Sequence, residues 1–260
     1  MSIKIPFVDK IETSLKAIFL ALFDVMSQSE TTLEQDIVWQ ESSDIHPILK
    51  KILAIYRCYS DVDIQTEEDL NAALISFKLS DEEAASAMHQ IEQYIKENCP
   101  QKHLGQAVSY LLGELVCNIQ QHAKVETGIL FAEVIGKYLY IGISDGGVTI
   151  YGSYLNAQKY LEKIGFSDAE ALSIAKEGYS TKNLPNAENR GYGISSNLKM
   201  ITRGLHGVFS IISGSALLYA DASNKQVVAL PQNVNWNGTL VMVQIPLEDN
   251  NDFKFYDYIY

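Results

Sequence analysis

Glu114, Asn118 and His122 recur every fourth residue, so on a helix they fall roughly along one stripe. Leu111, Leu112, Leu115, Val116 and Ile119 supply that helix with a side to bury. A carboxylate and an amide one turn apart can hold a hydrated magnesium ion and orient a water, because magnesium takes oxygen ligands and keeps several waters. A plain solvated helix face, where Glu and Asn are common, has the same spelling. Asp145 closes a strand-like run and is followed by Gly146 and Gly147. An acid there can accept a hydrogen bond from an exocyclic amine, while the glycines admit a flat ring. Asp-Gly-Gly is also an ordinary β-turn.

A third and a fourth stretch complete the set. Gly178-Tyr-Ser-Thr-Lys182 opens a polar loop, and Arg190-Gly191-Tyr192-Gly193 closes it at a helix start. Backbone N–H groups at a helix N-terminus, with glycines permitting contact, make a phosphate site. Lys182 and Arg190 could add positive charge. An isolated Gly-x-Gly is weak evidence, since any glycine-rich loop contains one. The four stretches follow one another within 80 residues, from Glu114 to Gly193, and each supplies something that a magnesium-nucleotide pocket needs.

The elements that must position these residues can be read coarsely. A helix over about 104–123 is followed by TGILFAEVIG and KYLYIGISDG, alternating runs joined at Gly136-Lys137. Glycine in the first central position suits a type II′ hairpin. Ser167 and Glu170 form a capping box that opens a helix, and Gly178 stops it. A helix over about 194–205 precedes three strand-like segments, GVFSIISGSALLYA, KQVVAL and GTLVMVQIPL. The expected fold is α+β: a two-layer sandwich of a mixed, mostly antiparallel sheet with helices on one face.

Residues 1–100 read as an all-helical region. Ile11, Leu15, Phe19 and Leu22 form one helical stripe, and Ile48, Leu49, Ile52, Leu53 and Tyr56 form another. Ser80 and Glu83 make a capping box for a helix carrying Ala84, Met88, Ile91 and Ile95, which Asn98-Cys-Pro100 ends. The reading divides the chain into an acidic helical domain, 1–100, a domain over 101–247, and an acidic aromatic tail, 248–260. Tyr256, Tyr258 and Tyr260 in that tail could add a strand to a partner or to a second copy of the chain. A tail folded onto its own domain, or disordered, is the plainer alternative.

Composition narrows the function classes. Hydrophobic residues at 47% and charged residues at 20% are those of a soluble globular chain of 260 residues. The net charge is −12, and residues 1–100 hold most of it, with 18 acidic and 8 basic side chains. Such a surface repels phosphate backbones and anionic lipid, so neither nucleic acid nor membrane is expected as a partner. A basic protein partner fits better, and plain solubility explains the charge as well. AIFLALF, Ala17–Phe23, is too short to span a bilayer, and its acidic neighbours do not suit a secretory signal. Cys58, Cys99 and Cys117 have no metal-like or redox-like spacing, which points to reduced thiols in the cytoplasm.

Taken in order, E-x3-N-x3-H-A on a helix, D-x-G at a strand end, G-x-S-T-K, and G-x-G entering a helix resemble the GHKL superfamily. Its members include gyrase, heat-shock chaperone, histidine-kinase and mismatch-repair ATPases. The resemblance covers about residues 101–247 and implies the Bergerat-type ATP-binding fold. It implies ATP and Mg as ligands, Asn118 as the magnesium residue, and Glu114 as general base, contacting the metal through water. It makes Asp145 the adenine-reading acid and Gly147 the glycine beside the ring. Ser180, Thr181 and Lys182 fall in the ATP lid, and Gly191 and Gly193 match the phosphate-loop glycines. Two positions depart from the pattern: Thr149, where the family usually has a second glycine, and Tyr192 within the Gly-Tyr-Gly loop.

Among GHKL-type proteins, gyrase and mismatch-repair members complete catalysis with a lysine from a following domain, and 13 residues follow Leu247 here. Hydrolysis by this chain alone therefore calls on Lys182 or Arg190 for the γ-phosphate. His46, His89 and His103 do not suit a phosphoacceptor site. Two expectations follow: slow ATP hydrolysis or phosphotransfer to a separate protein, with lid closure over about 150–190 as a switch, or a non-catalytic ATP-binding module that engages a protein partner.

Overall fold

The computed structural model describes residues 72–181, 192–230, 235–248, 250 and 252–259. Seven strands form one sheet in the order β1-β2-β3-β7-β4-β5-β6. They are β1 (Ala72–Lys78), β2 (Thr127–Ile135), β3 (Tyr138–Asp145), β4 (Val208–Gly214), β5 (Ala216–Ala220), β6 (Lys225–Ala229) and β7 (Trp236–Pro246). Every neighbouring pair is antiparallel, so the expected mixed sheet is corrected. β7 enters between β3 and β4, which places the ends of β3 and β7 side by side: Asp145 faces Thr239.

The hairpin and capping signals hold. β2 and β3 are joined by Gly136 and Lys137, and Gly136 has the positive φ of 56° that a type II′ turn needs at its first central residue. Helix α1 (Asp81–Asn98) is capped by Ser80, whose Oγ accepts from Glu83 N. Helix α2 (Lys102–His122) carries the Glu114 stripe. Three helices follow β3: α3 (Ile150–Ala157), the short α4 (Leu161–Ile164) and α5 (Asp168–Ala175). Ser167 caps α5 by accepting from Glu170 N at 3.2 Å, and its hydroxyl donates back to Glu170 Oε2 at 3.0 Å. Helix α6 (Tyr192–Lys199) runs into a π-helical turn, Met200–Gly204.

The expected helical region 1–100 is corrected in its last third. β1 pairs along its whole length with β2, and Phe77 on β1 joins Ala84, Ile91 and Ile95 of α1 in the core that holds α2 and the sheet. Residues 77–95 thus share one core with the elements that follow residue 100. The strand signal is short: only Ile75-Ser76-Phe77-Lys78 alternates, with Ile75 and Phe77 turned to the core, and pairing with β2 along all seven residues supplies the rest. The stripes over 11–22 and 48–56 lie outside the described residues.

The tail takes the plainer of its two expected readings. Phe253, Phe255 and Tyr258 pack against the main core, with Tyr110 of α2 edge-on to Phe255 at 5.5 Å. Asn250 Nδ2 donates to the Gly204 carbonyl at 2.8 Å. The segment folds onto its own domain rather than offering a free strand, and Tyr260 lies outside the described residues. Among the described residues, no helix is long and apolar enough to cross a membrane.

The inner face of the sheet carries Leu130, Ala132, Ile141, Ile143, Val241, Val243, Phe209, Ile211 and Leu218, all in the core beneath the helices. The outer face is not a polar solvent face either. Phe131 is 2% exposed, Leu217 0%, Tyr219 3% and Leu240 5%. β2 accordingly reads as a continuous apolar run, Ile129-Leu-Phe-Ala132, instead of a strict alternation.

Candidate nucleotide site

Between α2 and the inner face of β3, β7 and β4 lies a cavity of about 350 Å³, within the usual range for small-molecule sites. Glu114, Asn118 and His122 line one wall, Asp145 and Thr239 another, and Ser180, Thr181 and Gly193 border it as well. Four separate sequence stretches thus converge on one space. Ile143, Ile211 and Val241 give it an apolar floor.

Asp145 is 3% exposed, at the end of β3. Its Oδ1 accepts from Gly147 N at 2.9 Å, and the Thr239 N–H donates to it from β7. Burial pushes its carboxyl up to about 7, against those two N–H groups, which favour the charged form. Near neutral pH the group is therefore poised between an acceptor and a proton-bearing acid. A ligand N–H donor would favour the acceptor.

Gly147 is explained by a contact that its sequence context does not reveal. A Cβ there would collide with the Ala123 carbonyl at the end of α2. The adjacent Val148 N donates to that same carbonyl at 2.8 Å. The glycine thus lets the end of α2 sit on the turn after β3, which fixes Asp145 relative to the Glu114 stripe. It does not itself line the cavity. Thr149, one of the departures from the family pattern, also has a local cause. It is the N-cap of α3, its Oγ1 accepting from Gly152 N at 3.0 Å.

At the other end of the cavity, α6 starts against α2. A Cβ on Gly193 would lie 2.7 Å from Glu114 Oε2 and 3.6 Å from Asn118 Nδ2. The acid and amide are therefore held against the first turn of α6, where unpaired N–H groups and the helix dipole favour anions. Tyr110 ties the two helices together one turn before Glu114 through a hydrogen bond with the Ser196 side chain. His122 Nδ1 stands 3.4 Å from Thr181 Oγ1, linking the end of α2 to the segment after α5. Lys159 Nζ donates to the Thr181 carbonyl at 3.2 Å.

Lys182, Arg190 and Gly191 lie outside the described residues. Among the described residues, no group of three or more His, Cys, Asp and Glu is placed to hold a metal. A magnesium ion bound through the Asn118 amide, phosphates and waters needs no such cluster. Glu114 Oε2 and Asn118 Nδ2 are the side-chain atoms nearest Gly193, and a carboxylate and a side-chain amide are groups whose oxygens suit that hard, oxygen-seeking ion.

Several contributors went unseen in the sequence. Ser213 on β4 accepts from Ile150 N at 2.9 Å and donates to the Gly238 carbonyl at 3.0 Å, joining α3 to β7 under the acid. Tyr154 donates to the Tyr179 carbonyl at 2.6 Å, and both tyrosines line the cavity. Tyr154, Ile164, Ala171 and Ala175 form a small core of their own, and Leu172 of α5 sits in the main core. Most of the span 150–175 expected as lid is thus packed helix, whereas 182–191 lies outside the described residues. No protein-family model matches the chain, and no curated protein matches it in sequence.

Proposed function

We propose that the chain binds ATP with magnesium, using the cavity between α2 and the sheet, and turns it over slowly or passes its phosphate to a separate protein. One observation carries this reading: the same cavity has a buried acid at one end and, at the other, a carboxylate and an amide pressed against a helix start. Few ligands need both. The adenine amine would donate to Asp145, over the floor of Ile143, Ile211 and Val241. The phosphates would lie toward the first turn of α6 and toward Ser180 and Thr181. Asn118 would hold the magnesium ion, which supplies charge neutralisation at the phosphates.

Glu114 stands beside Asn118 and is placed to accept a proton from an attacking water or from a partner's hydroxyl or imidazole. The GHKL resemblance implies the same roles for these residues. Removing the proton-accepting oxygen while keeping the shape separates turnover from binding. With Glu114→Gln, phosphate release in a single-turnover assay should fall at least about 100-fold, while equilibrium ATP binding changes little. If wild-type protein binds ATP but neither releases nor transfers phosphate, alone or with basic protein substrates, the catalytic part of the reading fails and a binding module remains.

A further inference from the structure

Helices α2 and α6 meet at two successive points: Glu114 lies opposite Gly193, and Tyr110 lies opposite Ser196. Going from Tyr110 to Glu114 ascends α2, whereas going from Ser196 to Gly193 descends α6, so the helices are antiparallel. On α2, His103, Tyr110 and Glu114 are seven and four residues apart and share one stripe. That stripe carries the proposed base at one end and two aromatic rings at the other.

Those rings meet the segment after β7. Phe253 stands 5.9 Å from the His103 ring and stacks on Tyr258 at 5.6 Å, with 7° between the planes. The same two side chains fill the space beside Gly204, the last residue of the π-helical turn. A Cβ on Gly204 would lie 2.8 Å from Phe253 and 2.9 Å from Tyr258. Asn250 fastens the segment to the Gly204 carbonyl, and Phe255 meets Tyr110 edge-on. Residues 250–258 thus touch both helices of the pair, and none of them lines the cavity.

Tyr110 links this wedge to the site. One side of it packs on Phe255, and its hydroxyl is hydrogen-bonded to the Ser196 side chain, which is buried three residues after Gly193. Burial raises the pKa of the Tyr110 hydroxyl, and the Glu114 carboxylate one turn along α2 raises it further. The two groups are therefore within electrostatic reach. A shift of Tyr110 would slide α2 along α6 and move Glu114 relative to Gly193.

We propose that residues 250–258 brace α2 against α6, and that Tyr110 is a positioning residue that holds the Glu114 carboxylate against the first turn of α6. The brace stands on packing alone. Its consequence for turnover rests on the proposed role of Glu114 as base.

The test compares Tyr110→Phe, which keeps the ring against Phe255 and removes only the hydroxyl, with Phe255→Ala, which removes a half-buried ring. In the full chain without nucleotide, Phe255→Ala should speed hydrogen exchange at the amides of residues 196–199 at least about tenfold, and Tyr110→Phe at least about threefold. Exchange in β2 and β3 should not change. Unaltered exchange at 196–199 in both variants, or equal acceleration everywhere, would overturn the brace whether or not the protein binds ATP. In a single-turnover assay both variants should lower phosphate release roughly tenfold, with ATP affinity within about twofold of wild type. The double variant should be no slower than the slower single one, because both act through the same link. Unchanged release alongside faster exchange, or losses that multiply in the double variant, would overturn the positioning role of Tyr110. Wild-type protein that releases no phosphate would end that role together with the catalytic reading, and the exchange result would still decide the brace.

Discussion

The two ends of the cavity are built differently. The Asp145 end is set by backbone: two N–H groups grip the carboxylate, and the Gly147 turn touches the end of α2 without an intervening side chain. The Glu114 end is set by side chains on one helix facing the start of another, with Gly193 leaving the space between them. The first kind of construction resists change and costs stability when it is broken. The second can be altered with little effect on the fold. On the proposed reading, recognition is built into the scaffold and the reactive groups are mounted on it.

The largest effect should come from Gly147→Ala. Its Cβ has no room against the Ala123 backbone, so β3 and α2 must separate and the Val148–Ala123 hydrogen bond is lost. A cost of roughly 3 kcal/mol would lower the melting temperature by about 6–12 °C. A fall of under 2 °C would show that the two elements are not locked.

Asp145→Asn should act on binding and on pH rather than on folding. Loss of a charge-assisted hydrogen bond weakens ATP binding at pH 8 by roughly 10–100-fold. In wild-type protein the buried acid must ionise to accept the amine, so affinity should fall as pH drops below about 7, approaching tenfold per unit. The substitution should abolish that slope. Stability follows the opposite sign. A carboxyl raised on folding contributes stability that is full below the unfolded pKa and lost as pH rises through about 7. Denaturant titrations of the ligand-free protein should show this loss between about pH 4 and 7, and the Asn variant should not.

Gly193→Ala should produce the smallest change in the fold and still disturb the site. The new methyl meets the mobile end of Glu114, so that side chain moves. Alanine also suits a helix better than glycine by about 1 kcal/mol, which leaves the melting temperature within a few degrees of wild type. Phosphate release should nevertheless drop at least about tenfold. Equal losses of stability and activity would erase the distinction between the two ends.

Much of this arrangement was legible in the sequence where a local signal exists. Ser80, Ser167 and the Gly136-Lys137 turn announced their elements, and the fourfold spacing of Glu114, Asn118 and His122 placed all three on one wall of the cavity. Contacts made across the chain were not legible. β1 became a strand only by pairing with β2, Ser213 joined the site from a strand far along the chain, and the contact of Gly147 with the Ala123 carbonyl had no local signal. The tail's aromatic residues signalled burial but not against what, and Tyr110 on α2 provided the answer.

The most direct measurement is a calorimetric titration of the full chain with ATP, ADP and GTP at pH 8, with and without magnesium, alongside Asp145→Asn and Asn118→Ala. The account predicts adenine-selective binding of one nucleotide per chain, lost with GTP and weakened by Asp145→Asn whether or not magnesium is present. It predicts that Asn118→Ala removes only the part of the affinity that magnesium adds. No heat with any nucleotide, or binding indifferent to both substitutions, would contradict the claim that this cavity is a nucleotide site.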